Sequence, residues 1–556
     1  MKNNRQIIIF LFIFLAILPI LIFRDYTANN ELKYLSIVDE AIEEGHIFAF
    51  YNHGVPYADK PPLYFWIMMI GKFIFGKHIM FCISLLSVIP ALVILYTMNS
   101  WLYKYYDERA YDLSSRRADI SSITNTGTLL LSTTAFFIAC MIVLRMDMLM
   151  TMFIVLSLYT FYKMYIKNKY NKIDKQYRRM QLLLPIYIFL AIFSKGAVGF
   201  ILPILVIIIF LLIKGEIKQI GKYLGLKTWG ILASLCLVWF LAVYFDGGKE
   251  YLNNLLFNQT VNRAVNAFHH KKPFYYYGII FWYVAAPWSV LAITTLIVSA
   301  VKKNITNDIE KFFMVIFLTT IISLSMVSSK LEVYLLPCFP FLMYLTVILL
   351  HKNRENIFIK ISAAIPAVIL ILIFLGSLFI SRFEIPNFNI DLALWAPLQV
   401  FTAILLIGGI ISLYFIFKSK INNSIFSFSI ALFLFIFLVS FSLPKFNNYI
   451  GARNICEQAY QRSKAMGIDN ISMYGFKIGK NFDTYFKEFM KLDNKPKEEI
   501  RNFKMHYFNQ EALTDISNSI LIVETKDLKK DTLLQRVSKP FVKDNFGTYT
   551  IIEVVK

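Results

Sequence analysis

The sequence predicts an α-helical polytopic membrane protein of about thirteen transmembrane helices, followed by a small C-terminal α/β domain outside the membrane. Three observations predict it. The 556 residues are 57% hydrophobic and only 17% charged, a balance foreign to water-soluble globules. Apolar runs such as Ile7 to Phe23, Ile201 to Ile213, Ile361 to Ile380 and Ile425 to Leu443 suit helices in a bilayer core about 30 Å thick. After Leu443 the composition turns ordinary, with a helix-like stretch at Ala452 to Met466 and strand-like runs at Ile471 to Phe476, Ser519 to Glu524 and Thr548 to Val555.

The basic residues orient these runs. Lys and Arg cluster at Lys104 to Arg117, Lys163 to Arg179, Lys214 to Lys227, Lys302 to Lys311, Lys352 to Lys360 and Lys418 to Lys420, each cluster separated from the next by two apolar runs. By the positive-inside rule all six lie on the cytoplasmic side together with the N-terminus. The net charge of +21 is therefore a topology signal and excludes a nucleic-acid reading, which needs a basic face on a soluble domain. The first span starts like a signal peptide, but no small-residue cleavage site follows it, so it reads as a retained anchor.

Pro62 to Gly76 tests the scheme, because counting it as a span would invert every later loop. It is short, aromatic and carries Lys72, so it reads as a helix lying at the outer interface. The expected division is a transmembrane catalytic domain, 1–443, with a large first periplasmic loop, 24–77, and a periplasmic domain, 444–556. The expected setting is a bacterial inner membrane. Five cysteines, without pairing or metal-like spacing, offer neither a disulfide framework nor a zinc site.

The unusual polar residues fall on the outer face. Asp59 and Lys60 precede a Pro pair that rigidifies the chain and starts the interfacial helix, which sets both at the depth of a lipid phosphate. Lys60 suits a phosphate clamp; Asp59 suits its support or an oxygen ligand for a divalent cation. Glu31 stands at the start of an expected helix from Asn30 to Glu44, where an acid serves either as general base or as a partner of the helix dipole. Arg145 and Asp147 sit between apolar runs, a costly place unless they pair or line a cavity. Lys195, Arg263, Lys330 and Tyr334 add donors that an anionic substrate at an interface requires. Adjacent His269 and His270 point in different directions and lack a third ligand at suitable spacing.

Taken together, NELKY (30–34), EEGHIFAFYNHGVPYADKPPLYFW (43–66), RMDMLMTMF (145–153), FSKGAVGFILP (193–203), KKPFYYYGIIFWYVAAPWS (271–289) and SKLEVYLLPCFP (329–340) resemble the polyprenyl-phosphate-dependent glycosyltransferases of the GT-C superfamily. The likeness is to the lipid A 4-amino-4-deoxy-L-arabinose transferases, relatives of the protein O-mannosyltransferases. It implies Lys60, Arg263 and Tyr334 as donor-phosphate ligands, with Lys330 beside them, and Glu31 and Asp147 as carboxylates facing sugar and acceptor. Asp59 takes a place implicated in metal coordination. Two departures weaken that metal: Asn30 replaces an acidic residue, and Asn258 stands where the aminoarabinose transferases carry a metal-binding His.

The implied function is inverting transfer of a sugar, an amino sugar by the resemblance, from undecaprenyl phosphate to lipid A or a related envelope acceptor on the periplasmic side. A protein O-glycosyltransferase shares the same chemistry with a Ser or Thr acceptor. A flippase for a lipid-linked sugar shares the basic lipid-facing cavity, but transporters show internal repeats and mid-membrane sites. The expected partners are the polyprenyl-linked donor, a lipid, glycan or protein acceptor and membrane lipids, with no nucleic acid; a divalent metal is left open as cofactor.

Overall fold

The computed structural model describes residues 2–28, 30–107, 115–257, 272–379, 392–468, 470–474, 481–503, 505–508 and 518–555. Nine helices among them are long and apolar enough to cross a bilayer, the first Arg5–Phe23 and the last Ile421–Ser440. Two bent pairs, Ile120–Ser132 with Ala135–Ile142 (69°) and Tyr276–Val284 with Ser289–Val301 (113°), bring the number to eleven when each is one span. That is fewer than the thirteen expected; the apolar but shorter helix Val198–Ile213 and the helix Lys175–Lys195, with basic residues in its first turn, follow one another between two of these spans. The chain is a multi-pass membrane protein of helical fold.

Apolar side chains cannot by themselves hold helices together in lipid, which is as apolar as they are, so small residues and internal hydrogen bonds contribute instead. The helix of the span Glu332–Asn353 is the most enclosed, with 94% of its apolar window buried. It is tied to its neighbours by a buried polar cluster. Tyr344 donates to Asn99 Oδ1 (2.7 Å), and Asn99 donates to Thr128 (2.8 Å), which joins three helices. Gly127 lets the Tyr344 ring approach, since a Cβ there would lie 3.0 Å from it.

The helix Leu63–Phe75 follows the Pro61-Pro62 pair and stops at Gly76, whose positive φ of 69° a glycine adopts without strain. Its 13 residues rise about 20 Å, too little for a bilayer core of about 30 Å. It packs against the helix Glu31–Glu44, and Phe73 and Ile74 stay exposed on its other side. Both helices belong to the first loop.

Chain connectivity places that loop, the joint Val143–Leu144, the end of Lys175–Lys195, the break after Phe245 and the start of Glu332–Cys338 at one end of the bundle. The C-terminal domain follows Ser440 at the same end. Its five described strands are ordered His506–Phe508, Ile471–Tyr474, Ser519–Glu524, Tyr549–Val554, Val542–Phe546, the first two pairings parallel and the last two antiparallel. Three strands and the helix Arg453–Met466 fall where the sequence pattern expects them. His506–Phe508 and Val542–Phe546 do not: one is a three-residue edge, the other an exposed, polar edge without apolar alternation.

This domain is not a tethered appendage. One apolar cluster runs from Leu32, Phe50 and Phe65 of the first loop into Ile455, Phe486 and Ile520 of the domain. Asp25 fastens the two polar ends. Its carboxylate accepts from the backbone of Tyr26 (2.7 Å), Ala452 (2.9 Å) and Arg453 (2.8 Å) and from the Tyr485 hydroxyl. A Cβ on Gly451 would collide with that carboxylate. Replacing Asp25 by Ala strands several buried donors, so the domain is expected to loosen by about 3 kcal/mol. Limited proteolysis of the detergent-solubilised protein checks this, with faster cleavage after residue 444 as the expected outcome.

Candidate active site

The site starts from an ion pair. Arg24 follows the first span, and Glu31 opens the helix Glu31–Glu44. The guanidinium meets the carboxylate through two parallel hydrogen bonds of 2.6 Å, and neither side chain is more than 5% exposed. Glu31 also accepts the backbone N–H groups of Thr27 and Leu144, both at 2.7 Å, while Arg24 donates to the carbonyl of Ile142 at 3.2 Å. Both carboxylate oxygens of Glu31 are doubly engaged. The pair therefore clamps the joint between the helices Ala135–Ile142 and Met146–Lys169.

That joint presents Arg145 and Asp147. Arg145 caps the second helix in an extended conformation, and Asp147 lies in its first turn, where the helix dipole favours an acid. Asp147 is buried between two cations: Lys195 on one oxygen and Arg145 Nε at 3.3 Å on the other. Lys195 ends its own helix, where Gly196 turns the chain with a φ of 104°, and its ammonium lies 4.9 Å from the ring centre of Tyr334. The charges of Lys60 and Arg145 both act on Lys195. Asp59 lies near enough to Tyr34 and Tyr251 for its charge to act on both, and Lys33 sits 4.4 Å over the Tyr57 ring.

Three cations, Lys60, Arg145 and Lys195, thus gather about Asp147 at one end of the bundle, with Asp59 next to Lys60 in the chain. Like charges held together in a partly desolvated place call for an anion, and Arg and Lys together suit a phosphate.

The structure brings Lys60, Asp59, Asp147 and Tyr334 to this place. Glu31 is next to it but sealed into its clamp. Lys330 is buried and turned to the backbone: its ammonium donates to the carbonyls of Lys272 (3.2 Å) and Val327, and burial pushes its pKa down. Asn258, Arg263, His269 and His270 lie outside the described residues. Sequence reasoning missed Arg24, Lys33 and Tyr57. A charged residue directly after a span, seven positions before a helix-opening Glu, is the signal that could have found Arg24.

A divalent metal does not fit the described donors. No group of three or more His, Cys, Asp or Glu side chains converges among them, and Asp59, the expected ligand, directly precedes Lys60, one of the cations gathered about Asp147. A second cation there would add to an existing excess.

An apolar groove of about 410 Å³ lies between the short helix Leu63–Phe75, the helix Met80–Asp107 and the helix that carries Asp147. Ile70, Phe75, Leu86, Ile89, Leu149 and Met152 line it, with Lys72, Lys77 and His78 among the polar residues on its wall. Lys72 and His78 both pair with Asp39, His78 at 2.6 Å. Burial works against the Asp39 charge, but these two partners outweigh it and hold its carboxyl below the usual range. The stability they lend is in place above about pH 4 and is lost as pH falls toward the folded value.

No family model matches the chain. Solved structures do. ArnT from Cupriavidus metallidurans bound to undecaprenyl phosphate superimposes with a TM-score of 0.73 over 99% of this chain and 98% of that one, at 14% identity. The fold is that of ArnT. Its apo state gives a TM-score of 0.71. In sequence, the chain is 23% identical to an uncharacterized protein of Aquifex aeolicus (strain VF5) over 94% of its length and 89% of that protein's. It is 26% identical to the undecaprenyl phosphate-alpha-4-amino-4-deoxy-L-arabinose arabinosyl transferase of Wigglesworthia glossinidia brevipalpis over 65% of its length. A transferase of the same name from Pseudomonas fluorescens (strain Pf0-1) is 23% identical. The matched region spans 61% and 57% of those two transferases, so the likeness of the whole ArnT fold is carried by the structure comparison.

Replacing Glu31 by Ala leaves the Arg24 guanidinium buried and unpaired, at an expected cost of about 3–5 kcal/mol. Replacing both members, Arg24→Met with Glu31→Leu, is expected to cost much less. Thermal unfolding of the two variants side by side checks this.

Proposed function

We propose that this chain is a polyprenyl-phosphate-dependent glycosyltransferase that moves a sugar from undecaprenyl phosphate to lipid A or a related envelope acceptor at the outer face of a bacterial inner membrane. The observation that carries the reading is the cation cluster of Lys60, Arg145 and Lys195 around Asp147 at one end of an ArnT-type fold. The relatives named as arabinosyl transferases support the donor class, and the positive-inside pattern supports the side.

The bond that breaks joins the anomeric carbon of the sugar to a phosphate oxygen of the carrier. As it lengthens, charge builds on that phosphate, and Lys60, Lys195 and Arg145 are fixed cations that stabilise it. Tyr334, beside Lys195, adds a hydroxyl donor, and Arg263 is the further donor that the resemblance implies. A phosphate that engages Lys195 and Arg145 competes with Asp147 for both. Asp147 then gains free lone pairs as the donor binds, and accepts the proton of an acceptor hydroxyl; an acceptor phosphate needs no such base. The nucleophile enters on the side opposite the phosphate, which inverts the anomeric centre. In this reading Glu31 and Lys330 act as positioning residues. The apolar groove beside the helix of Asp147 supports an acceptor with acyl chains.

Lys60→Ala is expected to lower transfer by about 100-fold in a reconstituted assay with a defined undecaprenyl-linked donor, with an unchanged melting temperature. Full turnover by that variant would refute the assignment. Mass spectrometry of lipid A and of envelope proteins, with and without the active protein, decides the acceptor. For sidedness, single cysteines at Val55 and Lys420 are expected to react with a membrane-impermeant reagent from opposite faces, the first from outside.

A further inference from the structure

The helix Leu226–Asn253 does not run straight through its length. At Gly248 the backbone takes φ 76° and ψ −179°, a conformation open to glycine, so the span ends near Asp246 and a short second segment begins. The two sides of this break grip one stretch of the first loop. Asp246 Oδ2 accepts three successive backbone N–H groups, from Ile47 (2.9 Å), Phe48 (2.6 Å) and Ala49 (2.8 Å), and its Oδ1 lies 2.9 Å from His46 Nδ1. One turn later the Tyr251 hydroxyl accepts the N–H of Phe50 (3.0 Å) and donates to the carbonyl of Tyr57 (3.1 Å). Between them Gly247 lies flat against the loop: a Cβ there would come 2.5 Å from Ala49 Cβ.

Residues 46 to 50 and 57 flank the short antiparallel pair Tyr51–Asn52 with Val55–Pro56, which is only two residues long on each side and too small to hold itself. Tyr57 is followed directly by Ala58, Asp59, Lys60 and the Pro pair. The hairpin that delivers Lys60 thus takes its shape from outside. We infer that Asp246 and Tyr251, on either side of the Gly247-Gly248 break, are positioning residues that set Lys60 beside Lys195 and Arg145. This rests on the donor-phosphate reading of Lys60. Neither residue was singled out by the sequence patterns, because one reads as a polar residue at a span end and the other as an interfacial aromatic.

The test uses the full-length protein in nanodiscs, with undecaprenyl phosphate as the probe, and the variants Tyr251→Phe, Asp246→Asn, Lys60→Ala and Tyr251→Phe with Lys60→Ala. Tyr251→Phe is expected to weaken binding about tenfold in the parent and less than twofold in the Lys60→Ala background, because it acts through Lys60. Equal losses in both backgrounds, or no loss in the parent, would overturn the inference. Hydrogen exchange gives a readout free of the ligand. In Tyr251→Phe and Asp246→Asn the amides of residues 47–50 are expected to lose protection while those of the strand Ser519–Glu524 keep it. Unchanged protection at 47–50 overturns the inference even if binding falls. If the parent protein fails to bind undecaprenyl phosphate, the donor reading fails, and the exchange data alone judge the positioning.

Discussion

The rest of the site depends on the Arg24–Glu31 pair. A buried ion pair is poor evidence of stability in general, since desolvation offsets much of the attraction. Here its value is geometric. Two charged hydrogen bonds of 2.6 Å fix a guanidinium to a carboxylate, and further hydrogen bonds tie the pair to the backbone at Asp25, Thr27, Ile142 and Leu144. The carboxylate thereby orders the first loop and the joint that presents Arg145 and Asp147. The adjacent Asp25 continues the same line into the C-terminal domain. Three parts of the chain that are far apart in sequence meet through two consecutive residues.

Around that anchor, the chemistry has the character of a socket for an anion. Asp147 compensates only part of the positive charge near it, and its two ion pairs occupy the places a phosphate would take. An incoming phosphate exchanges one set of charged contacts for another, which moderates both the desolvation cost of the empty site and the affinity of the filled one. The groove along the helix of Asp147 adds an apolar wall next to a polar centre, the combination that a lipid-linked reactant requires.

Much of the fold was legible in the sequence. Hydropathy and the alternation of basic clusters predict the spans, and the short helix expected between Pro62 and Gly76 stands at Leu63–Phe75, within one residue of those limits at each end. The Pro pair and Gly76 mark those limits physically. Most of the candidate site was legible as a list: Lys60, Asp147, Lys195 and Tyr334 carry charge or hydroxyl groups where apolar residues would be expected. The pairings were not legible. Glu31 and Lys330 look the same in sequence whether they face a cavity or the backbone, and only the partners Arg24, Leu144 and Lys272 decide. The Asp246 and Tyr251 grip was hidden for another reason. Its partners are mostly main-chain groups, which leave no trace in side-chain patterns.

The shared core of the first loop and the C-terminal domain bears on biosynthesis. The loop that carries Lys60 leaves the ribosome before the C-terminal domain, yet Leu32, Phe50 and Phe65 complete their packing against Ile455, Phe486 and Ile520, made hundreds of residues later. Until the last span is inserted, the apolar side of that loop has no permanent cover. A polypeptide cut short before the tail, or a tail produced alone, would expose one half of a common interior to whatever holds nascent membrane proteins, so quality control can inspect the finished fold at a single seam.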